Sequence, residues 1–305
     1  MGVPILILGE SGTGKTTSLR NFNEGEIAIV NVAGKPLPFR GKFETLSKTT
    51  DLRKIVSFIN STKAKRIIVD DCQYIMSFQY MRRIKENGWD KFNEIQSDFF
   101  NLIDLVSTLP DDVIVYFLSH LETRDDGRQK IKTTGKMLDE KITIEGMFTT
   151  VLKTHVTDGK YFFLTQNSGN DTVKSPIGMF NSFAIDNDLK YVDDKIRNYY
   201  QIGQFKSDEE MAVEDKKVEN TELEKASNGR VKRVSRAKRE EEPLPNQVTI
   251  EEAQPEVQIQ ATEPETKEVE QTPSAESNES EKPRQRRVRK SRETEINDDD
   301  LPFYV

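Results

Sequence analysis

Residues 4–16 read Pro-Ile-Leu-Ile-Leu-Gly-Glu-Ser-Gly-Thr-Gly-Lys-Thr. A short, continuously apolar run ends in glycine, as a buried strand does. A helix-forming stretch follows from Lys15 to about Phe22. Between them, Gly9 to Thr16 match G-x-x-x-x-G-K-[ST] at every position, in the strand–loop–helix setting that the pattern requires. Glycines let the backbone close around phosphates with its N–H groups pointing inward. The N-terminus of the following helix would add partial positive charge. Lys15 suits the β- and γ-phosphates, and the Thr16 hydroxyl suits Mg²⁺. Gly9, Glu10, Ser11, Gly12, Thr13, Gly14, Lys15, Thr16 and Thr17 are therefore the expected nucleotide-binding residues.

Such a loop needs a carboxylate on a nearby strand. Ile67-Ile68-Val69-Asp70-Asp71 supplies one: Asp70 ends an apolar run and is the expected metal partner of Thr16. Asp71 either polarises the attacking water or only caps the next turn; Glu10 and Glu44 are rival bases. There is no Asn-Lys-x-Asp for guanine and no D-x-x-G after Asp70, so ATP is expected rather than GTP. Ser119-His120 ends a further apolar run, Val113–Leu118. His120 there reads as a sensor between the carboxylate and the γ-phosphate, or as a satisfied core histidine. Arg124, Arg128 and Lys174 are candidates for a finger to a neighbouring subunit's phosphate, or plain surface charge.

The remaining pattern alternates strands and helices. Glu26–Val32 and Arg66–Asp70 read as strands, and Asp51–Asn60 as a helix capped by Asp51. Tyr74–Lys85 reads as a helix with a loop and Asp90–Ser107 as a helix, the latter with apolar residues at 92, 95, 99, 102, 103 and 106. A long loop or hairpin is expected over 122–136, and a helix over 142–152. Lys153–Val156 and Lys160–Thr165 flank Asp158-Gly159 as a hairpin, and 188–201 reads as a last helix. This order implies an α/β fold with a mainly parallel sheet flanked by helices.

Composition changes at Phe205. Residues 206–305 hold 18 Lys+Arg and 26 Asp+Glu, a net charge of −8, whereas residues 1–205 carry +1. The second part has seven prolines, and its only aromatics are Phe303 and Tyr304. It cannot bury a core and is expected to be a long disordered charged tail. The expected division is a P-loop ATPase domain over 1–205, a charged linker over 206–296 and an acidic-hydrophobic tip over 297–305. A single cysteine, Cys72, excludes a disulfide scaffold, and two histidines exclude a His metal cluster. No apolar run approaches the roughly 18 residues of a membrane helix. With no signal-peptide pattern at the N-terminus, a cytoplasmic location is expected.

GESGTGKTTSLRNF, RIIVDDCQYIM, FLSHLE and FFLTQNS…DTVKSP resemble the phage nucleotide-binding ATPases of RecA-like type, which include the Sak-type single-strand annealing proteins. The resemblance covers roughly residues 1–200. It implies a RecA-like P-loop NTPase core, ATP and Mg²⁺, assembly into a homo-oligomer, and single-stranded DNA as partner in phage recombination or replication. On this reading the location is the bacterial host cytoplasm. Lys15, Asp70, Asp71 and His120 take the catalytic positions. Asp71 stands where glutamate is often found, which implies slow hydrolysis.

Two segments suit DNA. Tyr74–Lys85 with Trp89 mixes bases and aromatics, although the aromatics equally suit a core-facing helix. Arg124, Arg128, Lys130, Lys132 and Lys136 lie in a polar segment where the RecA-like resemblance implies a DNA-facing loop. Basic tracts at 230–239 and 284–292 read as weak, salt-dependent nucleic-acid contacts or as solvated chain. Asn297-Asp298-Asp299-Asp300-Leu301-Pro302-Phe303 resembles the acidic tip of bacterial single-stranded-DNA-binding protein, a tether for replication and repair enzymes. Asp298, Asp299 and Asp300 would meet a basic rim, and Leu301 and Phe303 an apolar pocket. Here Tyr304-Val305 follow the phenylalanine, which in that family carries the terminal carboxylate. The function expected is an ATP-binding, ATP-hydrolysing recombination or replication protein acting on single-stranded DNA. Alternatives are a nucleotide-switched adaptor resembling a helicase loader, and, more remotely, a small-molecule kinase.

Overall fold

A computed structural model describes residues 1–135, 138 and 141–218. The strands are β1 (Val3–Gly9), β2 (Ala28–Asn31), β3 (Glu44–Ser47), β4 (Arg66–Asp70), β5 (Ile114–Thr123), β6 (Gln129–Ile131), β7 (Thr150–Thr157), β8 (Lys160–Leu164) and β9 (Ala184–Asp186). The helices are α1 (Leu52–Ser61), α2 (Tyr74–Arg82), α3 (Asp90–Asp104), α4 (Leu189–Tyr200) and α5 (Asp208–Val218). One sheet runs in the order β3-β2-β4-β5-β1-β7-β8-β9, with β6 attached to β5. The strands from β3 to β7 in that order pair parallel, and β8, β9 and β6 pair antiparallel. The expected α/β class, a mainly parallel sheet flanked by helices, is what the chain adopts.

The apolar runs explain why both faces of this sheet are covered. Successive residues of a strand point to opposite faces. In β1, Leu6 and Leu8 join the core under α1, α2 and α3, together with Val69, Val115 and Phe117. Ile5 and Ile7 point the other way, to the core under α4 and α5, with Ile68, Tyr116 and Leu118. Because the central strands run parallel, Gly9, Asn31, Asp70 and His120 collect at one edge of the sheet. Register sets Gly9 opposite His120 and Asn31 opposite Asp70.

Asp51 caps α1 as expected, accepting from the Arg53 and Lys54 backbone N–H groups. Asp158 (φ 50°) and Gly159 (φ 74°) make the β7–β8 turn, and 122–136 contains the β5–β6 hairpin.

Several expectations are corrected. The segment after the glycine-rich loop is a six-residue 3-10 turn, Thr16–Asn21, rather than an α-helix. The Ser18 hydroxyl donates to the Lys15 carbonyl at 2.6 Å and competes for a helical acceptor. The 142–152 helix is only a 3-10 turn at Ile144–Met147, because β7 begins at Thr150 and pairs with the open side of β1. Strands β3 and β9, four and three residues long, had no expectation.

The folded part also passes Phe205. Ser207 and Glu210 form a reciprocal cap: the Ser207 N–H donates to the Glu210 carboxylate at 2.8 Å, and the Glu210 N–H to the Ser207 hydroxyl at 3.3 Å. Behind this cap α5 buries Met211 and brings Asp215 to the Tyr191 hydroxyl (2.7 Å) and Lys195 (2.5 Å) on α4. The boundary drawn at Phe205 from composition therefore falls short of Val218. Among the described residues, no helix is long and apolar enough to cross a membrane.

Under the sheet, Asp193 of α4 is fully buried. It accepts from Tyr116 Oη (2.9 Å), from Arg197 Nε (2.8 Å) and from Arg66 Nε. This cluster ties α4 to β4 and β5. Asp193→Ala would strand two arginines, and removing one partner of a buried pair costs about 3–5 kcal/mol. Denaturant unfolding should show a loss of that size.

Candidate nucleotide site

The loop Gly9–Thr17 leaves β1 in the middle of the sheet, between β5 and β7. Gly9 has no room for a side chain, since a Cβ there would lie 1.8 Å from Thr154 Oγ1 of β7. Gly14 has φ 94° and packs against Tyr161 and Asn187, so a side chain would be both strained and crowded. Thr13 Oγ1 donates to the Glu10 carbonyl at 2.8 Å and lies 2.6 Å from Thr154 Oγ1, which pins the outer bend to β7.

Lys15 is buried, and its ammonium donates to the carbonyls of Gly9 (3.0 Å) and Glu10 (2.8 Å). Burial lowers its pKa to about 8, against the opposing pull of Asp71 and Asp70. Thr16 Oγ1 lies 3.0 and 3.1 Å from the two Asp70 oxygens. The expected metal pair thus meets across the sheet edge, although β5 separates their strands. Asp70 is buried, and burial first and the Asp71 charge second raise its pKa to about 6.

Asp71 follows directly, with φ 55°, a conformation that costs a non-glycine residue on the order of 1 kcal/mol. Its carboxylate reaches His120 Nε2 at 3.3 Å and Lys35 Nζ at 2.5 Å. Burial alone would raise its pKa; the hydrogen bonds from His120 and Lys35 outweigh that and bring it down to about 2. His120 is in turn placed by Gln73, whose Oε1 accepts from the His120 N–H (3.2 Å) and the Ser119 hydroxyl (3.3 Å).

These groups line one cavity of about 270 Å³, with Ser11, Gly12, Gly14, Lys15, Thr16 and Thr17 on one wall and Asp70, Asp71 and His120 on another. Lys35, Pro36, Pro38 and Tyr161 complete it. Sequence reasoning missed these four. Lys35 and the prolines come from the β2–β3 loop, and Tyr161 from β8; neither segment carries a nucleotide-site pattern. The only local signal is Asn31 ahead of Gly34, a turn in which the Asn31 side chain binds the Gly34 N–H (2.8 Å) and the Lys35 carbonyl (2.6 Å).

Other candidates fall outside this cavity. Glu44 sits at the start of β3, at the opposite end of the parallel strands, and accepts from the Thr62 hydroxyl at 2.6 Å, so it is no base here. Glu10 contributes its backbone carbonyl, which accepts from Thr13 Oγ1 and Lys15 Nζ. Arg124, Arg128 and Lys174 do not line the cavity.

Of the basic hairpin residues, Arg124, Arg128 and Lys132 are exposed. Lys130 is buried and paired to Glu122 at 2.9 Å, so it is not a surface contact. Lys136, the basic tracts and the tip residues Asp298 to Phe303 lie outside the described residues. On α2, Ile75 and Met76 are core and Tyr74 stacks on Phe78, while Trp89 beyond the helix is 79% exposed. Arg82 and Arg83 border a wider cleft of about 580 Å³ together with Lys48, Arg53 and Asp98, away from Lys15 and Asp70.

The AAA domain family model matches residues 1–176. This chain belongs to the AAA domain family. Membership, the loop and its carboxylates make this AAA-domain protein a P-loop NTPase on a mainly parallel α/β sheet, built to bind a nucleotide. No curated protein matches it. A solved KaiC-like protein from the hyperthermophilic archaeon Pyrococcus horikoshii is similar at 16% identity and a TM-score of 0.34, over 53% of this chain and 77% of that one.

The donor set suits a hard divalent cation: a hydroxyl and a carboxylate, both oxygen, meet beside a phosphate-shaped loop. Without such a cation, the buried charge of Asp70 is a burden to the fold. Between its usual 3.8 and about 6, the folded chain keeps a proton that the unfolded chain has lost. Stability contributed by this group therefore falls as pH rises through that window. Asp70→Asn is expected to stabilise the metal-free protein by about 1–3 kcal/mol at pH 7, shrinking towards zero as pH falls to about 4. Denaturant midpoints measured across that range without magnesium check both size and sign.

Proposed function

We propose that this AAA-domain protein binds ATP with Mg²⁺, hydrolyses it slowly, and couples the cycle to single-stranded DNA in phage recombination or replication. The observation that carries this reading is the continuity of β5. At the cavity, β5 presents His120 to Asp71. Beyond it, the same strand becomes the basic hairpin, and the Lys132 N–H donates to the His120 carbonyl at 2.9 Å. A change at the γ-phosphate that moves His120 therefore moves Lys132, with Arg124 and Arg128 at the hairpin tip.

Each residue has a chemical task. Lys15 exchanges its two backbone carbonyls for phosphate oxygens, which are stronger acceptors. Thr16 and Asp70 would hold Mg²⁺, which when bound neutralises phosphate charge. Asp71 orients the attacking water, and His120 holds Asp71. ATP bound between copies of the chain would form a homo-oligomer, and Asp298, Asp299, Asp300, Leu301 and Phe303 would tether a replication or repair protein. The location would be the bacterial host cytoplasm.

A second reading is favoured by Asp71 itself, since both of its oxygens are already engaged by Lys35 and His120. Slow turnover would suit a nucleotide-switched adaptor that recruits replication proteins.

The ATPase reading predicts that Lys15→Ala lowers turnover by roughly 100-fold or more and abolishes magnesium-dependent nucleotide uptake. Turnover by the full chain should rise on adding single-stranded DNA, and Arg124→Glu with Arg128→Glu should remove that rise while leaving DNA-free turnover intact. Equal turnover with and without DNA, with no DNA retained at low salt, would reject the recombination role. Nucleotide-dependent capture of a replication protein, without DNA stimulation, would favour the adaptor.

A further inference from the structure

We propose that Lys35 is a second γ-phosphate ligand, held on Asp71 until ATP draws it away. The inference rests on the ATP reading above and names a residue that no sequence pattern marks.

The geometry is specific. Lys35 Nζ lies 2.5 Å from Asp71 Oδ2 and within 5.7 Å of the Tyr74 ring centroid. Its side chain is 61% exposed, so it can move without opening the core. Its backbone cannot drift, because Asn31 at the buried end of β2 grips the turn from both sides, at the Gly34 N–H and the Lys35 carbonyl. Asn31 pairs in register with Asp70. The lysine is thus held in the loop that leaves β2, the strand next to the carboxylates, and lines the same cavity as Lys15 and Thr16.

The charges fit an exchange. Lys15 rests on neutral carbonyls and Asp70 on the Thr16 hydroxyl. Lys35 and Asp71 are the pair whose contact occupies an oxygen that hydrolysis needs. A terminal phosphate entering the cavity brings several charged acceptors within reach of Lys35, and ammonium–phosphate contacts are among the stronger hydrogen bonds. Once Lys35 turns to the phosphate, Asp71 Oδ2 is free to accept from water. The water oxygen bonds to the γ-phosphorus and the bond from that phosphorus to the β,γ-bridging oxygen breaks. The water proton goes to Asp71 and then to solvent, leaving ADP and phosphate. ADP has no γ-phosphate, so Lys35 returns to Asp71.

The test compares ADP with a non-hydrolysable ATP analogue by direct titration on the full chain, for the native protein, Lys35→Ala and Lys35→Arg. Lys35→Ala should weaken the analogue by about tenfold or more while ADP affinity changes by less than about twofold. ADP uptake also reports that the variant is folded. Turnover should fall with the analogue's affinity, and Lys35→Arg should restore part of both. The proposal is overturned if Lys35→Ala weakens ADP and the analogue equally, affects neither, or speeds turnover; the last would make Lys35 only a brake on Asp71. If the native protein takes up no nucleotide at all, the ATP reading itself fails, which is a different result.

Discussion

The contact between the Thr16 hydroxyl and the Asp70 carboxylate is the point on which the site turns. It joins the loop after β1 to the end of β4 across the intervening strand β5. Two groups from positions 54 residues apart meet there because β1, β5 and β4 run parallel and end at the same edge. Every other feature of the cavity is arranged around that edge. The glycines let the loop bend back over it, β5 delivers His120 beside it, and the Asn31 turn lays Lys35 across it.

This arrangement gathers charge that the fold must contain. Lys15, Asp70 and Asp71 are all buried, and their ordinary ionisation is displaced in both directions: Lys15 and Asp71 downward, Asp70 upward. The two adjacent carboxylates are separated in role by their partners. Asp71 has a lysine and a histidine, so it stays ionised. Asp70 is hydrogen-bonded by the Thr16 hydroxyl, and burial beside the Asp71 charge leaves it a negative charge that a divalent cation would relieve. Active sites commonly hold such opposed pairs at the expense of stability.

Elsewhere the structure resists simple readings of charge. Lys130 is part of a basic run, yet it is buried and paired with Glu122. Arg83 belongs to an aromatic-basic segment, yet Glu86 and Glu94 both hold it. Helix α5 comes from a segment too polar to suggest a core, yet one methionine and one aspartate dock it onto α4. In each case the deciding partner is remote in the chain or carried by a neighbouring element.

Local chemistry was legible in the residues themselves. Continuous apolar runs bounded by glycine and aspartate marked β1, β4 and β5, since strands buried on both faces need no polar alternation. The glycine-lysine-threonine loop named its own ligand class because phosphate binding uses backbone geometry that only such a sequence permits. Asp51, Asp158 and Gly159 announced a cap and a turn for similarly local reasons. Tertiary structure decided what depends on distance in the chain. It dismissed Glu44 by placing it at the far end of its strand, and it made 150–152 part of a strand rather than a helix because β1 had an open side to pair. It also brought Lys35 and Tyr161 to the cavity. Neither has a local pattern, because their role comes from where parallel strands end and not from the residues beside them.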